Sequence, residues 1–473
     1  MKNVNQTGNV NNDIMERLVA FITTTTYASL PAEIITLAKQ AMIDTLGVSI
    51  AGWREDAVQK TIAVYGEQAG NASLFAQAKK TSEENAALIN GTATHVLDYD
   101  DASAGVIIHP SAPILAAITP VAERRQSSGQ DVITAYAIGT EVMIRIGEIM
   151  GVQHYRLGWH ATDTLGTIGA ASACAYLENL NEEQCAHAIA IAASMSGGLQ
   201  KNFGSMTKPL HVGLAASHGI QAVKLAHAGF TGNTNIFKDR GFFLAYSGMT
   251  EQDVIAKQAT LQFGSPYDLL TSLAVKKFPC CFATHRFIHG MQLLKKQHNL
   301  TLDDIEAIVL HAQSRSLLPL VHHRPKTGLQ GKFSAQYTVL AALVDEQVTL
   351  TSFTDEQVQR PHIQQAFEKV SVHVLEEPET PVEGLLPVTL HIHARDEVYE
   401  LSVPIAPGSV ELPLSADEHR EKWVSCLHYY APDVPASQFS QRYDDGMALE
   451  TITRFSDWLQ AVHDAVETPL LKH

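Results

Sequence analysis

The hydrophobic period of this chain changes twice, and those changes constrain its fold more than any other feature. From Ile14 to about residue 270, apolar residues recur at helical spacing, and stretches such as ILAAITPVAERR and GTIGAASACAYLENL are dense in Ala and Gly. Small residues at that density let helix backbones approach closely, which predicts a multi-helix core rather than a coiled coil with a leucine seam. SSGQDVITAYAIGTEVMIRIGEIM reads as one such helix. Over 271–407 the pattern becomes β-branched with period two in IEAIVLHA, KVSVHVLEE, VTLHIHA and VYELSVPI, which read as strands. KFSAQYTVLAALVDEQ and TDEQVQRPHIQQAFEK read as helices between them, the second opened by a Thr354–Gln357 capping box. After Pro407-Gly408 helical spacing returns behind a Ser415–Glu418 box. The expected fold is mostly α: a large all-helical domain built from 14–270 and 408–473, a smaller inserted α/β lid domain over 271–407, and a disordered polar tail over 1–13.

Charge narrows the range of partners. The chain carries 34 Lys+Arg against 50 Asp+Glu, a formal charge of -16, and lacks a basic run, so neither nucleic acid nor an anionic membrane surface is an expected partner. An acidic chain that binds an acidic substrate must gather its few cations locally. The five cysteines are sparse and odd in number, which argues against a disulfide framework and for a reducing cytoplasmic setting. Cys280-Cys281 lacks the spacer that lets two thiolates share one zinc. The start has no basic and apolar secretory pattern, and no long uninterrupted apolar run reads as a membrane span. GxGxxG after a strand, GxxxxGK(S/T), HExxH and GxSxG are all missing, which removes dinucleotide, P-loop, zincin and α/β-hydrolase chemistry.

Five stretches carry candidate chemistry. THVLDYDDASAGVIIHPSAP sets His95, Asp98, Asp100 and Asp101 ahead of His109. A neighbouring carboxylate fixes an imidazole tautomer and raises its basicity, so the set reads as an acid–base group, as a metal site, or as helix capping around a core histidine. His160 stands at the mouth of a small-residue helix, where a carboxylate would meet free N–H groups, or else it is a cap. Lys208, ahead of His211 and His218, reads as a carboxylate clamp, a Schiff-base amine or a solvated surface lysine. In KKFPCCFATH, Lys276 and Lys277 precede His285, and Cys281 is either a packed thiol or a nucleophile. His322, His323, Arg324, Lys326 and Lys332 form the densest positive text, a loop rim suited to carboxylates, before a helix bearing Ser334 and Tyr337, whose phenol suits an oxyanion.

Taken in order, NGTATHVLDYDD, IHPSAP, GWHATDTLGTIGAA, TKPLHVGLAA, GFTGN, KKFPCCFATH and KFSAQY resemble the MmgE/PrpD family almost end to end. The family includes 2-methylcitrate dehydratase, cis-aconitate decarboxylase and iminodisuccinate epimerase. The resemblance implies a helical large domain with an α/β lid, a homodimer, and chemistry on a small polycarboxylate with no metal and no other cofactor. It implies catalytic roles for Asp98, His109, His160 and Tyr337 and substrate contacts from Lys208 and His285. Two departures bear on substrate: Ala102-Ser103 replaces the family's Thr-Trp pair, leaving Ser103 as a stand-in hydroxyl that contacts substrate, and Ala161 replaces the proline after Gly-Trp-His. The expected function is a cofactor-independent lyase acting on a di- or tricarboxylic acid by histidine-mediated proton transfer. An epimerase of an iminodisuccinate-like dicarboxylate is the alternative, followed by a non-catalytic binding protein that retains the fold.

Overall fold

The computed structural model describes residues 13–103, 105–376 and 387–467. Of the segment read as a tail, only Asp13 is described, and its Oδ1 accepts the Met15 N–H at 2.9 Å, capping α1 (Ile14–Thr24). The chain is mostly α, as the periodicity predicts. The large core is built from α2 (Ala32–Ala51), α3 (Glu83–His95), α4 (Ser111–Arg125), α5 (Gly129–Arg156), α6 (Ala161–Leu177) and α7 (Thr207–His227). The helix read from SSGQDVITAYAIGTEVMIRIGEIM is α5, opened by a Ser128–Asp131 capping box and kinked beyond the motif at Gly151, where φ is 61°. Three short strands depart from the helical reading of this half: Ala72–Leu74 and Gln77–Thr81 pair as a hairpin, and Ala102–Ser103 pairs with Leu273–Ala274.

The segment Ala32–Arg54 is long and apolar enough to cross a membrane, against the expectation that no stretch would be. Its apolar window is 78% buried inside the protein, packed on α3, α4 and a helix from the end of the chain, α10 (Ala416–Tyr430). It therefore serves here as a core helix. Two further helices, α11 (Ala436–Met447) and α12 (Phe455–Glu467), place Phe439, Trp458 and Val462 in the same core.

A second hydrophobic core lies between Phe278 and Val403. Its sheet comprises β1 (Ile305–Gln313), β2 (Val370–Leu375), β3 (Val388–Ala394) and β4 (Glu397–Val403) in the order β2-β1-β3-β4. The β1–β2 pair is parallel and the others antiparallel. Val388, Leu390, Ile392 and Ala394 alternate inward along β3, facing α8 (His285–His298), which packs beside α9 (Ala335–Val344). The expected single helix over TDEQVQRPHIQQAFEK is broken into Asp355–Val358 and Pro361–Ala366, since Pro361 cannot continue a helix and restricts the residue before it. Thr354 accepts the Gln357 N–H at 3.3 Å, while Ser415 and Glu418 form a reciprocal box.

One helix crossing positions the functional groups. A Cβ on Gly213 in α7 would stand 2.1 Å from the Leu88 carbonyl oxygen, and one on Gly91 in α3 would lie 2.9 Å from Gly213 Cα. Only glycine admits this approach, and His95 stands four residues after Gly91 while Lys208 stands five residues before Gly213. Gly213→Ala is expected to lower stability by about 1–3 kcal/mol through overpacking, read as a drop in the thermal unfolding midpoint. An unchanged midpoint would contradict the close crossing.

Candidate active site

Beyond the end of α3 the chain turns at Asp98, whose φ of 50° is a left-handed conformation that Asp tolerates better than bulky residues. Ala102–Ser103 then pairs antiparallel with Leu273–Ala274, delivering Lys276 back against Asp98. The Lys276 ammonium donates to the Asp98 carbonyl oxygen at 2.9 Å and lies 3.4 Å from its Oδ1. Lys208 donates to the same Oδ1 at 2.7 Å. Burial by itself would push the Asp98 carboxyl up, but the two ammoniums outweigh it and hold the group well below the usual carboxylate range.

Behind Lys208 stands an imidazole with a fixed tautomer. Asp100 Oδ2 lies 2.8 Å from His95 Nδ1, and Lys208 Nζ lies 2.8 Å from His95 Nε2. An ionised carboxylate only accepts and an ammonium only donates, so the proton sits on Nδ1 and the Nε2 lone pair receives Lys208. Two of the three lysine N–H bonds are thus committed, to Asp98 and His95.

His109 and His160 are neutral for the same physical reason. Burial, aided by the positive charge of Lys276 for His109 and of Lys208 for His160, holds both well below the ordinary imidazole value. His109 Nδ1–H donates to the Asp101 carbonyl at 2.7 Å, which leaves the Nε2 lone pair free, 3.9 Å from Asp98 Oδ1. The Asp101 side chain accepts from the Ser111 N–H and hydroxyl, and burial pushes its carboxyl up to about 7. His160 is the N-cap residue of α6; its Nδ1 lies 3.1 Å from His211 Nδ1, and its Nε2 has no partner. The His95 ring centroid is 4.6 Å from that of His109 and 5.8 Å from that of His160, which is 5.2 Å from that of His211, so four imidazoles form one cluster.

These groups open onto a cavity between the two cores, walled by Asp98, Ser103, His109, His160 and Lys208 on one side and Cys281, Ser316 and Phe333 on the other. Three buried polar atoms of this wall, Asp98 Oδ2, Ser103 Oγ and His160 Nε2, lack a hydrogen-bond partner. Five of the residues expected from the sequence are therefore brought together. His285 and Tyr337 are not among the lining residues. His285 packs between Phe278 and Phe282, its Nε2 lies 3.3 Å from the Cys280 carbonyl oxygen, and burial pushes it down to about 3, so it supplies no positive charge for a carboxylate. Tyr337 spends its hydroxyl on the Ser352 carbonyl inside the second core, so the phenol is not offered to an oxyanion.

The expected cationic rim is dispersed as well. Arg324 pairs with Glu368 at the surface at 3.0 Å, and Lys332 turns inward to the Pro279 carbonyl oxygen at 2.7 Å. Cys281 does line the cavity, but burial pushes its thiol up to about 11, against a nucleophilic role. Sequence reasoning left Lys276 and the aromatic wall of Phe203, Phe333 and Tyr155 without a role. In the sequence Lys276 stands out only with Lys277 ahead of His285, and the apolar run SLAV directly before it is the signal that it, rather than Lys277, turns inward.

Donor atoms of His95, Asp98, Asp100 and His109 lie within 4.8 Å of one another, the geometry of a possible metal cluster. Both nitrogens of His95, Oδ1 of Asp98 and Nδ1 of His109 are already engaged, and two ammoniums occupy the acidic side. Such a set holds its own cations, and a divalent ion would have to displace Lys208. The donors fit an organic acid facing Lys208 better than a metal.

Two family models cover most of the chain: the MmgE/PrpD N-terminal domain matches residues 16–254 and the MmgE/PrpD C-terminal domain matches residues 278–442. The chain is 29% identical to the cis-aconitate decarboxylase of Mus musculus over 359 residues, 72% of this chain and 71% of the relative. It is 26% identical to the cis-aconitate decarboxylase-like protein oryM of Aspergillus oryzae over 478 residues, covering 95% and 97%. With the cis-aconitate decarboxylase of Aspergillus terreus it shares 24% identity over 471 residues, covering 93% and 94%. The ordered motifs, the two-core fold and these matches together make the chain a member of the MmgE/PrpD family.

Proposed function

We propose that this protein is a cofactor-independent lyase that moves a proton on the carbon beside a carboxylate of a small di- or tricarboxylic acid. The observation that carries the proposal is the trio of unpartnered buried atoms, Asp98 Oδ2, Ser103 Oγ and His160 Nε2, on one wall beside Lys208. Buried polar groups are rarely left unsatisfied, and a substrate with carboxyl and hydroxyl groups would complete them. The relatives named cis-aconitate decarboxylase support a lyase class.

In this scheme the third N–H of Lys208 binds a substrate carboxylate. His109 Nε2 takes the proton from the carbon. His211 donates its Nδ1–H to His160 Nδ1, so that His160 Nε2–H faces the substrate. For a dehydration, His160 then protonates the departing hydroxyl. For a decarboxylation no carbon proton is taken by His109. The carboxyl carbon leaves as carbon dioxide, the electron pair of the broken C–C bond stays on the substrate, and His160 Nε2–H protonates that pair. The same pair, one imidazole taking a proton from a carbon and the other returning one to it, would serve an epimerase, the second reading, and His109 and His160 reach the cavity from different segments, ahead of α4 and at the start of α6.

The test is to incubate the protein with 2-methylcitrate, cis-aconitate and iminodisuccinate in deuterated water and follow products and carbon-bound deuterium. Loss of water or carbon dioxide supports the lyase, deuterium uptake without either supports the epimerase, and inertness toward every acid contradicts both. With the reactive acid, His160→Gln is expected to lower kcat by roughly 10²–10⁴-fold, as is His109→Gln wherever a carbon proton is taken, and unchanged turnover in either would overturn its role. The pH profile gives a separate check. A base held below its ordinary pKa stays unprotonated in more acidic solution, so kcat/KM should keep its neutral-pH value as pH falls through about 6.5. A loss of rate centred at or above that value would contradict the buried neutral base.

A further inference from the structure

We propose that the outer face of the four-stranded sheet carries a site for a divalent transition metal such as zinc, held by His311 on β1, His391 on β3 and Glu400 on β4. The site lies apart from the cavity and does not rest on the chemistry proposed there. It originates in the strand pattern. IEAIVLHA, KVSVHVLEE and VTLHIHA each place a histidine at a position that the period of two turns away from the core. Along β3, Val388, Leu390, Ile392 and Ala394 are buried, while Thr389, His391 and His393 take the other face. Register then gathers the rings. His311 stands opposite His373 of β2, and His391, paired with Val309 of β1, is its diagonal neighbour on the other side. The His311 ring centroid lies 4.7 Å from that of His391 and 5.2 Å from that of His373. Glu400 is the register partner of His391 on β4, its Oε2 3.5 Å from His391 Nε2.

An ordinary solvated face does not account for His311. Its Nε2 is enclosed by the neighbouring side chains and has no hydrogen-bond partner, although the ring sits on the outer side of the sheet. A buried polar atom of that kind calls for a partner, and a metal ion is one that an imidazole lone pair can take. Donors of a tetrahedral zinc, each bonded at about 2.0–2.1 Å, stand roughly 3.3 Å apart, so the His391–Glu400 pair is already near that spacing. Rotation of the His311 ring supplies the third donor, and water the fourth. The Glu400 side chain is 68% exposed and pairs with no lysine or arginine among the described residues, so it can turn onto an ion without disturbing the core. The acidic cluster around Lys208 differs in that ammoniums already fill it. Two imidazoles and a carboxylate select zinc, copper or nickel over magnesium and calcium, which require oxygen donors. His373 lies on the side of His311 away from Glu400 and falls outside the set.

Calorimetric titration of the EDTA-stripped full-length protein with zinc chloride tests the site. One saturable zinc equivalent should bind and raise the thermal unfolding midpoint. Cobalt chloride in its place should give the intense visible absorption of a tetrahedral ion, and magnesium and calcium chlorides should not compete. His311→Gln, His391→Gln and Glu400→Gln should each weaken zinc binding at least about tenfold, the scale that even the outer partners of metal ligands carry. Each should leave the metal-free unfolding midpoint unchanged, because these side chains lie on the outer face. His373→Gln should leave zinc affinity unchanged. Zinc retained by the His311→Gln, His391→Gln double variant would place the ion elsewhere and overturn the proposal. Loss of zinc on His373→Gln with Glu400→Gln unaffected would overturn this ligand set, and absence of saturable binding would overturn the site altogether.

Discussion

The Asp98 carboxylate held between Lys208 and Lys276 is the interaction on which the rest of the site depends. Lys208 comes from the helical core and Lys276 from the strand end that leads into the second core, so one side chain ties the two bodies together where the cavity opens. The left-handed turn at Asp98 lets its carbonyl meet Lys276 while its carboxylate meets both lysines. Removing either lysine would leave a buried carboxylate undercompensated, an expensive state. The Gly91–Gly213 crossing brings the helix ends carrying His95 and Lys208 close enough to complete the cluster.

On the proposed function, this arrangement is how a chain of charge -16 would hold an acid. It gathers two ammoniums, balances them with Asp98 and Asp100, and leaves one lysine N–H for a ligand. The same positive charges, together with burial, keep the surrounding imidazoles neutral, and His109 is left with a free lone pair because Asp101 offers only a carbonyl to its Nδ1. Neutral imidazoles next to a locked ammonium are suited to moving a proton without carrying a permanent charge into an apolar cavity.

Much of the fold was legible because period and capping are local properties. The Ala- and Gly-rich helices, the four strands and the return of helix after Pro407-Gly408 all follow from spacing, and the break at Pro361 was missed although it too is a local rule. The candidate site was legible only in part. Asp98, Ser103, His109, His160 and Lys208 share a wall, whereas Tyr337 and His285 sit in motifs of the right composition but turn toward Ser352 and Cys280. Side-chain direction near a helix start is decided by tertiary packing, which residue spacing does not encode. Lys276 stood among the sequence candidates, but its partner was unreadable: Asp98 lies 178 residues away, and only the pairing of Ala102–Ser103 with Leu273–Ala274 brings them together.

Buried, uncharged imidazoles with defined tautomers surround a lysine–aspartate hub. Nitrogen-15 NMR of the histidine-labelled protein, assigned through His95→Gln, His109→Gln and His160→Gln, measures this directly. Near pH 7 all three rings should be neutral, and His95 and His109 should carry their proton on Nδ1. An imidazolium signal from His109 or His160 at that pH, or an Nε2–H tautomer for His109, would contradict it.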